Sequence, residues 1–576
     1  METLVKFIRR NKGKSIAAII LLAAAVAVGI HIAKQPPPAP KETEQKRKEI
    51  DEEHLALYRA QIDKAWPGSG ANLKIADDGY LELALSGRRD VRKLTPLVGL
   101  PLGKLHLSRC DNVRDLTPLR GLPLRRLTLL ACTSIGDLTP LQGMSISELN
   151  LYNTRVSDLT PLKGMPLESL NISATPVTDF APIKDLPLRK LFLAFMKITN
   201  EDLAPLKGMG LTEIDLSGTN ISDLTPLEGM PLKTLYFSGC KALSDLTPLK
   251  GLPLNHISIV DTKVGDLTPL KGMPLNKMYL GRCEAINDFT PLEGLPLTYL
   301  NMFGTNIADL TPLKGMPLTG LHLLRCENVT DLTPLEGMSL TFLNIVATKV
   351  TDLGALQGMP LAELRLSDTE VSDLTPLKGM PLERLHMEGC NGVCDLSPLK
   401  DVPLKFLAAE GAQISDLAPL EGMSLVHLDL HGTNVADLAP LKGMPLTYLN
   451  LGCTEVADLA PLKGMSLQYL NVHNTKTADL TPLQGMPLGE LWVNNTKVTD
   501  LTALGRVPLS RLSFSPKNIT NGIEAIRGIK AMQALRAGHG SPMAPAQFWR
   551  LYDAGRLEEL LKAPPGHPGH EGHEAH

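Results

Sequence analysis

The chain has 576 residues, and aromatic residues make up only 4% of it. Its 58 lysines and arginines are nearly balanced by 61 aspartates and glutamates, so the formal net charge of -3 gives no electrostatic basis for nucleic-acid binding. Leucine, proline and glycine recur at regular intervals, which favours one unit repeated many times over several unrelated domains.

The first predicted element is a transmembrane segment at residues 15–33. These nineteen residues lie between Lys14 and Lys34 without a formal charge, and a helix rising ~1.5 Å per residue needs about this length to cross a bilayer. Basic residues concentrate in residues 1–14, so the positive-inside rule places that segment in the cytoplasm and the repeats outside the cell membrane. The sequence therefore predicts a single-pass membrane protein with a signal anchor. The alternative is a cleaved signal peptide and a secreted chain.

Residues 34–71 are predicted to form a stalk. Prolines between residues 36 and 40 favour a stiff, extended spacer, and the charged stretch that follows is rich in helix formers. Its apolar stripe is sparse, with Ile50, Leu57 and Ile62. A solvated helix is favoured over a dimerisation helix because too few heptads are present.

Residues 72–515 are predicted to form a repeat array with its own amino-terminal cap. One aspartate marks each unit, and the spacing between markers is 21 or 22 residues, with a single spacing of 23 before Asp202. The markers are Asp115, Asp137, Asp158, Asp179, Asp202, Asp223, Asp245, Asp266, Asp288, Asp309, Asp331, Asp352, Asp373, Asp395, Asp416, Asp437, Asp458, Asp479 and Asp500.

The unit SDLTPLKGMPLERLHM, residues 372–387, contains the pattern of a short strand. Leu385 and Met387 alternate with His386, so the two apolar side chains point to one side and the histidine to the other. One such strand cannot bury its apolar side alone. Stacked units can bury it, because the leucines of successive turns form a continuous core.

The other half of the unit predicts a tight turn. Thr375 suits a helix N-cap, Pro376 the first helical position and Gly379 a left-handed end. The short distance between Thr375 and Gly379 allows a single 3₁₀ turn rather than an α-helix. Asp373 is placed to accept a hydrogen bond from the backbone two residues later.

This pattern, LxxLxLxx(T/C)xxL, resembles the leucine-rich repeat, and the phrase SDLTPLKGMPL is similar to internalin-type repeats of bacterial surface proteins. The resemblance covers roughly residues 80–515. It implies an α/β solenoid: a horseshoe with a parallel β-sheet on the concave face, 3₁₀ turns on the convex face, and a partner bound on the concave face. Most turns are one residue shorter than in that family, and Thr or Cys replaces its usual Asn after the strand.

Six of the eight cysteines occupy one repeat position, three residues after the second apolar residue of the strand: Cys110, Cys132, Cys240, Cys283, Cys326 and Cys390. Threonine occupies that position in most other turns, so a small residue at an inward corner is expected, as in cysteine-containing leucine-rich repeats. A disulfide framework is not expected, because most of these positions lie two or more turns apart. Only Cys110 with Cys132, and Cys390 with Cys394, are near enough to pair.

Candidate binding residues are the alternate strand residues, which face away from the leucine core. Aromatic and hydrogen-bonding side chains concentrate there in the later turns, and such a cluster predicts a ligand site on the concave face. The alternative is that aromatic residues simply suit a pleated, exposed surface. The predicted site consists of Tyr299, Phe303, Phe342, Phe406, His427, Asp429, His431, Tyr448, Asn450, Tyr469, Asn471, His473 and Trp492.

The stretch HLDLH raises the question of a metal site. His427 and His431 face the same way, but His473 is expected about 10 Å from them, two strand spacings away. Polar surface is therefore the favoured interpretation, with these three histidines as weak metal candidates. No cofactor is expected.

The end of the chain leaves the repeat pattern. Residues 516–562 predict a helical cap over the last leucine layer, since Ile523, Ile526, Ile529 and Met532 recur at helical spacing. In residues 563–576 a histidine stands at every third position of a glycine-rich tail, which is predicted to be disordered, with weak divalent-metal binding as the alternative.

The sequence thus predicts a non-enzymatic, membrane-anchored leucine-rich repeat protein. Its concave sheet is expected to bind another protein or a surface polymer, and the alternative is a structural spacer without a specific ligand. No nucleophile, acid–base pair or phosphate loop stands out from the repeat pattern.

Overall fold

The computed structural model describes residues 50–538 and 540–556. Within them the chain forms two compact units, of which the first ends at Leu83 and the second begins at Ala84.

The first unit is a helix with a hairpin. Helix α1 (Glu52–Ala65) begins at Asp51, whose carboxylate accepts the backbone N–H of His54 at 2.9 Å. Strands β1 (Leu73–Ile75) and β2 (Leu81–Ala84) pair antiparallel.

The last turns of helix α1 pack on the hairpin that follows. The Arg59 side chain donates to the carbonyl of Leu73 at 3.0 Å, and Ile62 is fully buried. Leu57 of the expected apolar stripe is 64% exposed, so only part of that stripe packs. Residues 34–49 of the predicted stalk lie outside the described residues.

The second unit is built on a long parallel sheet in which every strand pairs with the next. The strands are β3 (Leu102–His106), β4 (Arg126–Thr128), β5 (Glu148–Asn150), β6 (Ser169–Asn171), β7 (Lys190–Phe192), β8 (Glu213–Asp215), β9 (Thr234–Tyr236), β10 (His256–Ser258), β11 (Lys277–Tyr279), β12 (Tyr299–Asn301), β13 (Gly320–His322), β14 (Phe342–Asn344), β15 (Glu363–Arg365), β16 (Arg384–His386), β17 (Phe406–Ala408), β18 (His427–Asp429), β19 (Tyr448–Asn450), β20 (Tyr469–Asn471), β21 (Glu490–Trp492), β22 (Arg511–Phe514) and β23 (Ala534–Ala537).

The predicted leucine core is confirmed. In the turn that contains β16, Leu377, Leu382, Leu385 and Met387 are fully buried, and the same positions are buried in the turns on either side. Each buried leucine contributes ~1.5 to 3 kcal/mol before the entropy of ordering the chain is subtracted. The repeat period, the parallel sheet and the 3₁₀ turns together form a leucine-rich repeat solenoid.

The tight turn is also confirmed, with one correction. The 3₁₀ helix Thr375–Leu377 carries Pro376 in its first turn, and Gly379 has a φ of 72°, the left-handed region that favours glycine. Thr375 is the first helical residue rather than the cap. Its backbone N–H is capped instead by the carboxylate of Asp373, at 2.8 Å.

This aspartate contact recurs at every marker except Asp202. Asp202 follows the single 23-residue spacing, and there the 3₁₀ helix lengthens to Glu201–Leu206. The carboxylate of Asp202 accepts the backbone N–H of Thr199 instead, at 2.8 Å.

The corner cysteines are buried, as expected, and all eight cysteines of the chain carry free thiols. The Cys390 thiol donates to the carbonyl of Leu366 in the preceding turn at 3.2 Å, whereas Thr369 at the same repeat position bonds within its own turn at 2.7 Å. Burial raises the pKa of the Cys132 thiol to about 11. The thiol–carbonyl hydrogen bonds link each of these turns to the turn before it.

The carboxy-terminal segment differs from the expected helical cap. Helix α2 (Ile523–Arg527) is short, β23 follows it and extends the sheet, and helix α3 (Pro545–Asp553) comes last. The Phe548 side chain is fully buried, with its ring centroid 5.7 Å from that of Phe514. Helix α2 ends at Gly528, before Ile529 and Met532 of the helical spacing, and β23 then pairs in parallel with β22.

The predicted localisation as a single-pass membrane protein requires correction. The described part of the chain contains no helix that is long and apolar enough to cross a membrane. The predicted cytoplasmic segment, the span at residues 15–33 and the tail at residues 563–576 lie outside the described residues.

The aspartate contacts predict acid sensitivity. Hydrogen bonds from the threonine or serine side chain and the backbone N–H two residues later hold the pKa of Asp309, Asp331, Asp373 and Asp395 below the ordinary 3.8. A carboxyl with a lowered pKa stabilises the fold above its ordinary pKa, and this contribution disappears as the pH falls through the folded-state value. Urea unfolding of the wild type is therefore expected to shift to lower urea as the pH falls from about 5 to about 3.

The matched variant replaces these four aspartates with asparagine. An amide oxygen accepts the same backbone hydrogen bond but does not titrate. We expect this variant to lose less stability over the same pH interval. An equal loss in both proteins would show that the turn carboxylates are not responsible.

Candidate functional site

The candidate site is the outer face of the parallel sheet in the second unit. In β19 the middle residue, Leu449, is fully buried, while Tyr448 before it remains partly exposed. The first and third residues of each strand therefore form two columns on the outer face, as the strand alternation requires.

Aromatic rings form a ladder on this face, and the ladder has two runs. The first run consists of Tyr236, His256, Tyr279, Tyr299, His322 and Phe342, with ring centroids 5.1, 5.3, 5.3, 5.4 and 4.5 Å apart. The second run consists of His386, Phe406, His427, Tyr448 and Tyr469, with centroids 4.5, 4.2, 3.9 and 4.3 Å apart.

The strand register explains the tight stacking of the second run. Phe406, His427, Tyr448 and Tyr469 hold the same position on four consecutive strands and are direct partners in the sheet. Neighbouring strands lie about 4.8 Å apart, close to the distance at which flat rings stack. The planes of His427 and Tyr448 differ by 6°, and those of Tyr448 and Tyr469 by 5°. Their faces cover one another, so the ring edges face outward.

The first run is built differently, because its rings alternate between the two columns. Tyr236, Tyr279 and His322 are third residues of their strands, whereas His256, Tyr299 and Phe342 are first residues. The angle between neighbouring ring planes varies along this run. His256 and Tyr279 are stacked, with an interplanar angle of 19°, and the other pairs are tilted or edge-on.

A charged cluster connects the two runs. The Arg365 guanidinium lies 5.8 Å from the Phe342 ring centroid, and that of Arg384 lies 4.3 Å from the Phe406 centroid. Glu363 joins them, with an oxygen 2.7 Å from Arg365 and another 3.7 Å from Arg384. The ladder is thus continuous across β15 and β16.

The far end of the second run is polar and partly buried. Burial raises the pKa of the Asp429 carboxyl, and Asn450 donates to this carboxylate at 3.0 Å. Burial raises the pKa of Tyr469 to about 12, with the nearby Glu490 carboxylate acting in the same direction. Burial and Asp429 also raise the pKa of Tyr448. Both hydroxyls therefore remain protonated at neutral pH.

Six predicted residues belong to the ladder: Tyr299, Phe342, Phe406, His427, Tyr448 and Tyr469. Asn450 and Asn471 occupy the neighbouring column and are buried, and their side-chain oxygens accept the backbone N–H groups of Gly452 and His473. These two asparagines therefore hold the turn after the strand.

The other predicted residues lie beside the ladder and are not part of it. Phe303 lies beyond β12 with the Arg282 guanidinium 5.2 Å from its ring centroid, and Trp492 donates to Glu490 at 2.8 Å. His431 and His473 leave the ladder and approach each other, with ring centroids 5.3 Å apart rather than the expected 10 Å. His427 does not join them, because its ring is stacked between Phe406 and Tyr448.

Sequence reasoning missed five ladder residues: Tyr236, His256, Tyr279, His322 and His386. Each is a first or third strand residue, so its place in the repeat would have revealed it.

No protein-family model matches the sequence, and no curated protein matches it. Among solved structures, the chain is similar to an internalin, inlF of Listeria monocytogenes, at 19% identity and a TM-score of 0.21, covering 69% of this chain and 82% of that one. It is also similar to the functional domain of InlJ from Listeria monocytogenes, which includes a cysteine ladder. The identity is 18% and the TM-score 0.33, and the match covers 67% of this chain and 73% of that one. A TLR13–ssRNA13 complex matches at 15% identity and a TM-score of 0.31, and the match covers 78% of this chain and 93% of that one. Scores this low carry no functional argument.

The raised tyrosine pKa values predict alkaline sensitivity. As the pH rises above the ordinary value of 10.0, tyrosines of the unfolded chain ionise first, while Tyr469 stays protonated up to about 12 in the folded state. The unfolded state then binds fewer protons, so the free energy of unfolding falls with rising pH. We expect the urea midpoint of the wild type to drop between about pH 9.5 and 11.5.

A Tyr448→Phe, Tyr469→Phe variant keeps both rings and removes both hydroxyls, so its alkaline drop should be smaller. Tyr152→Phe, which changes a tyrosine outside the ladder, is the control and should behave as the wild type. An unchanged drop in the double variant would contradict the assignment.

Proposed function

We propose that this chain is a non-enzymatic binding protein that recognises another protein through the ladder and the charges beside it. The observation that carries the proposal is the ladder itself: two runs of rings between Tyr236 and Tyr469 on the outer face of the sheet, joined by the charged cluster of Glu363, Arg365 and Arg384. Aromatic residues on a chain surface dominate the energetics of protein interfaces, and they are scarce in this sequence.

The geometry of the second run favours a protein over a sugar polymer. Sugar rings stack on open aromatic faces, but the faces of His427 and Tyr448 are already stacked against their neighbours. The ring edges remain, and they carry the positive part of the aromatic quadrupole. Carbonyl and carboxylate oxygens of a polypeptide suit such edges.

The flanking charges support the same partner. Arg384 and Glu363 lie between the two runs, and Glu490 and Arg511 lie at the far end, 3.5 Å apart. A mixture of both signs around an apolar row is typical of a protein interface rim, where charges select the partner.

The alternative is a structural spacer in which the ladder serves only to stiffen the sheet. Each stacked pair is worth about 0.5 to 1.5 kcal/mol beyond its buried area, so loss of rings changes stability under either function. Binding has to be measured directly, because stability does not separate the two.

The test is a selection from a random-peptide display library on the purified chain, alongside a glycan array and a pool of single-stranded RNA. We expect enriched peptides to bind the Tyr448→Ser, Tyr469→Ser variant at least about 30-fold more weakly, which corresponds to the ~2 kcal/mol typical of a hot spot. Circular dichroism would verify that the variant remains folded.

Phe195→Ser is the matched control, because Phe195 is an aromatic residue outside the ladder that is 64% exposed. This control should keep full peptide affinity. Equal peptide binding by the double variant, or enrichment of glycans or RNA alone, would overturn the proposal. Failure to enrich any of the three probes would favour the spacer.

A further inference from the structure

A cluster of three potential metal ligands lies at the edge of the outer face, beyond the carboxyl ends of β18, β19 and β20. It consists of His431, Cys453 and His473, and one ligand atom from each lies within 4.8 Å of the others. The thiol sulfur of Cys453 is 3.4 Å from Nε2 of His473. Two ligands of a tetrahedral zinc ion, one sulfur at ~2.3 Å and one nitrogen at ~2.05 Å, lie about 3.6 Å apart.

The two histidines approach each other because the residue between them, Gly452, has no side chain. His431, Gly452 and His473 occupy the same repeat position on three successive turns, so two strand spacings of about 4.8 Å each separate the histidines along the sheet. A Cβ placed on Gly452 would lie 2.5 Å from Nδ1 of His473 and 2.8 Å from Nδ1 of His431. Both rings lean into the space above this glycine, and for this reason their centroids are only 5.3 Å apart.

Surrounding hydrogen bonds orient the ligands. The Asn471 side-chain oxygen is 3.0 Å from Nδ1 of His473. If Nδ1 carries the proton and donates it there, Nε2 presents its lone pair toward the sulfur. The backbone N–H of His431 donates to Asp429 at 3.0 Å, and the Asn474 amide donates to the Cys453 sulfur at 3.5 Å.

Cys453 differs from the corner cysteines. Those are buried and donate to carbonyls of the preceding turn, whereas Cys453 is partly exposed and has a φ of 59°, at a left-handed turn position where other units carry Arg109 or Asn495. This position turns the sulfur toward the histidines and leaves it accessible to an ion.

We propose that His431, Cys453 and His473 form a binding site for a borderline-soft divalent metal ion, with Zn²⁺ as the ion that best fits two imidazoles and a thiolate. Three protein ligands leave the fourth position of a tetrahedral ion for water or for a group of a partner. The site is separate from the stacked rings and does not depend on the proposed function.

The test is titration of the full, reduced chain with Co²⁺, which takes zinc-type sites and shows an absorption band when a thiolate binds it. We expect the thiolate-to-cobalt charge-transfer band to saturate at one equivalent and to disappear when Zn²⁺ is added. Histidines of the tail at residues 563–576 do not produce this band, because they have no sulfur.

Three variants make the test specific. Cys453→Ser should abolish the band, while Cys394→Ser, which removes the exposed cysteine of another turn, should leave it intact. Gly452→Ala keeps all three ligands, and its Cβ would first meet side-chain atoms of the two histidine rings rather than backbone, so the fold should survive while cobalt affinity falls at least about tenfold.

Absence of the band in the wild type, or its persistence in Cys453→Ser, would overturn the proposal. Unchanged affinity in Gly452→Ala would also overturn it, because the paired histidines would then not be ligands.

Discussion

The sideways stacking of one turn on the next is the constraint on which the second unit depends. A single turn holds a three-residue strand, a corner and one 3₁₀ turn, and none of these is stable alone. Its leucines become fully buried only because the neighbouring turns cover them. The apolar positions of the repeat therefore serve the contact between turns.

Polar residues of the repeat form hydrogen bonds either within one turn or between two turns. The marker aspartate closes the tight turn within its own unit, whereas the corner cysteine bonds to a carbonyl of the unit before it. Threonine at the corner bonds within its own turn, so the two residue types satisfy the same buried position in different ways. Buried hydroxyl and thiol groups thus find partners without interrupting the leucine columns.

The same strand spacing organises the outer face. Identical positions on adjacent strands lie at the distance of stacked rings, so His427, Tyr448 and Tyr469 stack almost parallel. Where a glycine interrupts a column, residues two turns apart can meet, as His431 and His473 do over Gly452. The choice between these arrangements rests on outer residues that the leucine core does not constrain. The outer face can therefore vary along the array without loss of the fold.

The sequence by itself determined the period, the direction in which each leucine points, the tight turn and the aspartate that closes it. These follow from rules that act within one or two turns: strand alternation, turn chemistry and burial of apolar side chains. Tertiary structure decided which outer side chains touch. Side-chain volumes and contacts across several turns decided three features. These are the crossing of the ladder between columns at His256 and Tyr279, the pairing of His431 with His473, and the strand β23. Periodicity assigns a residue to a face, but its rotamer is set by the space its neighbours leave.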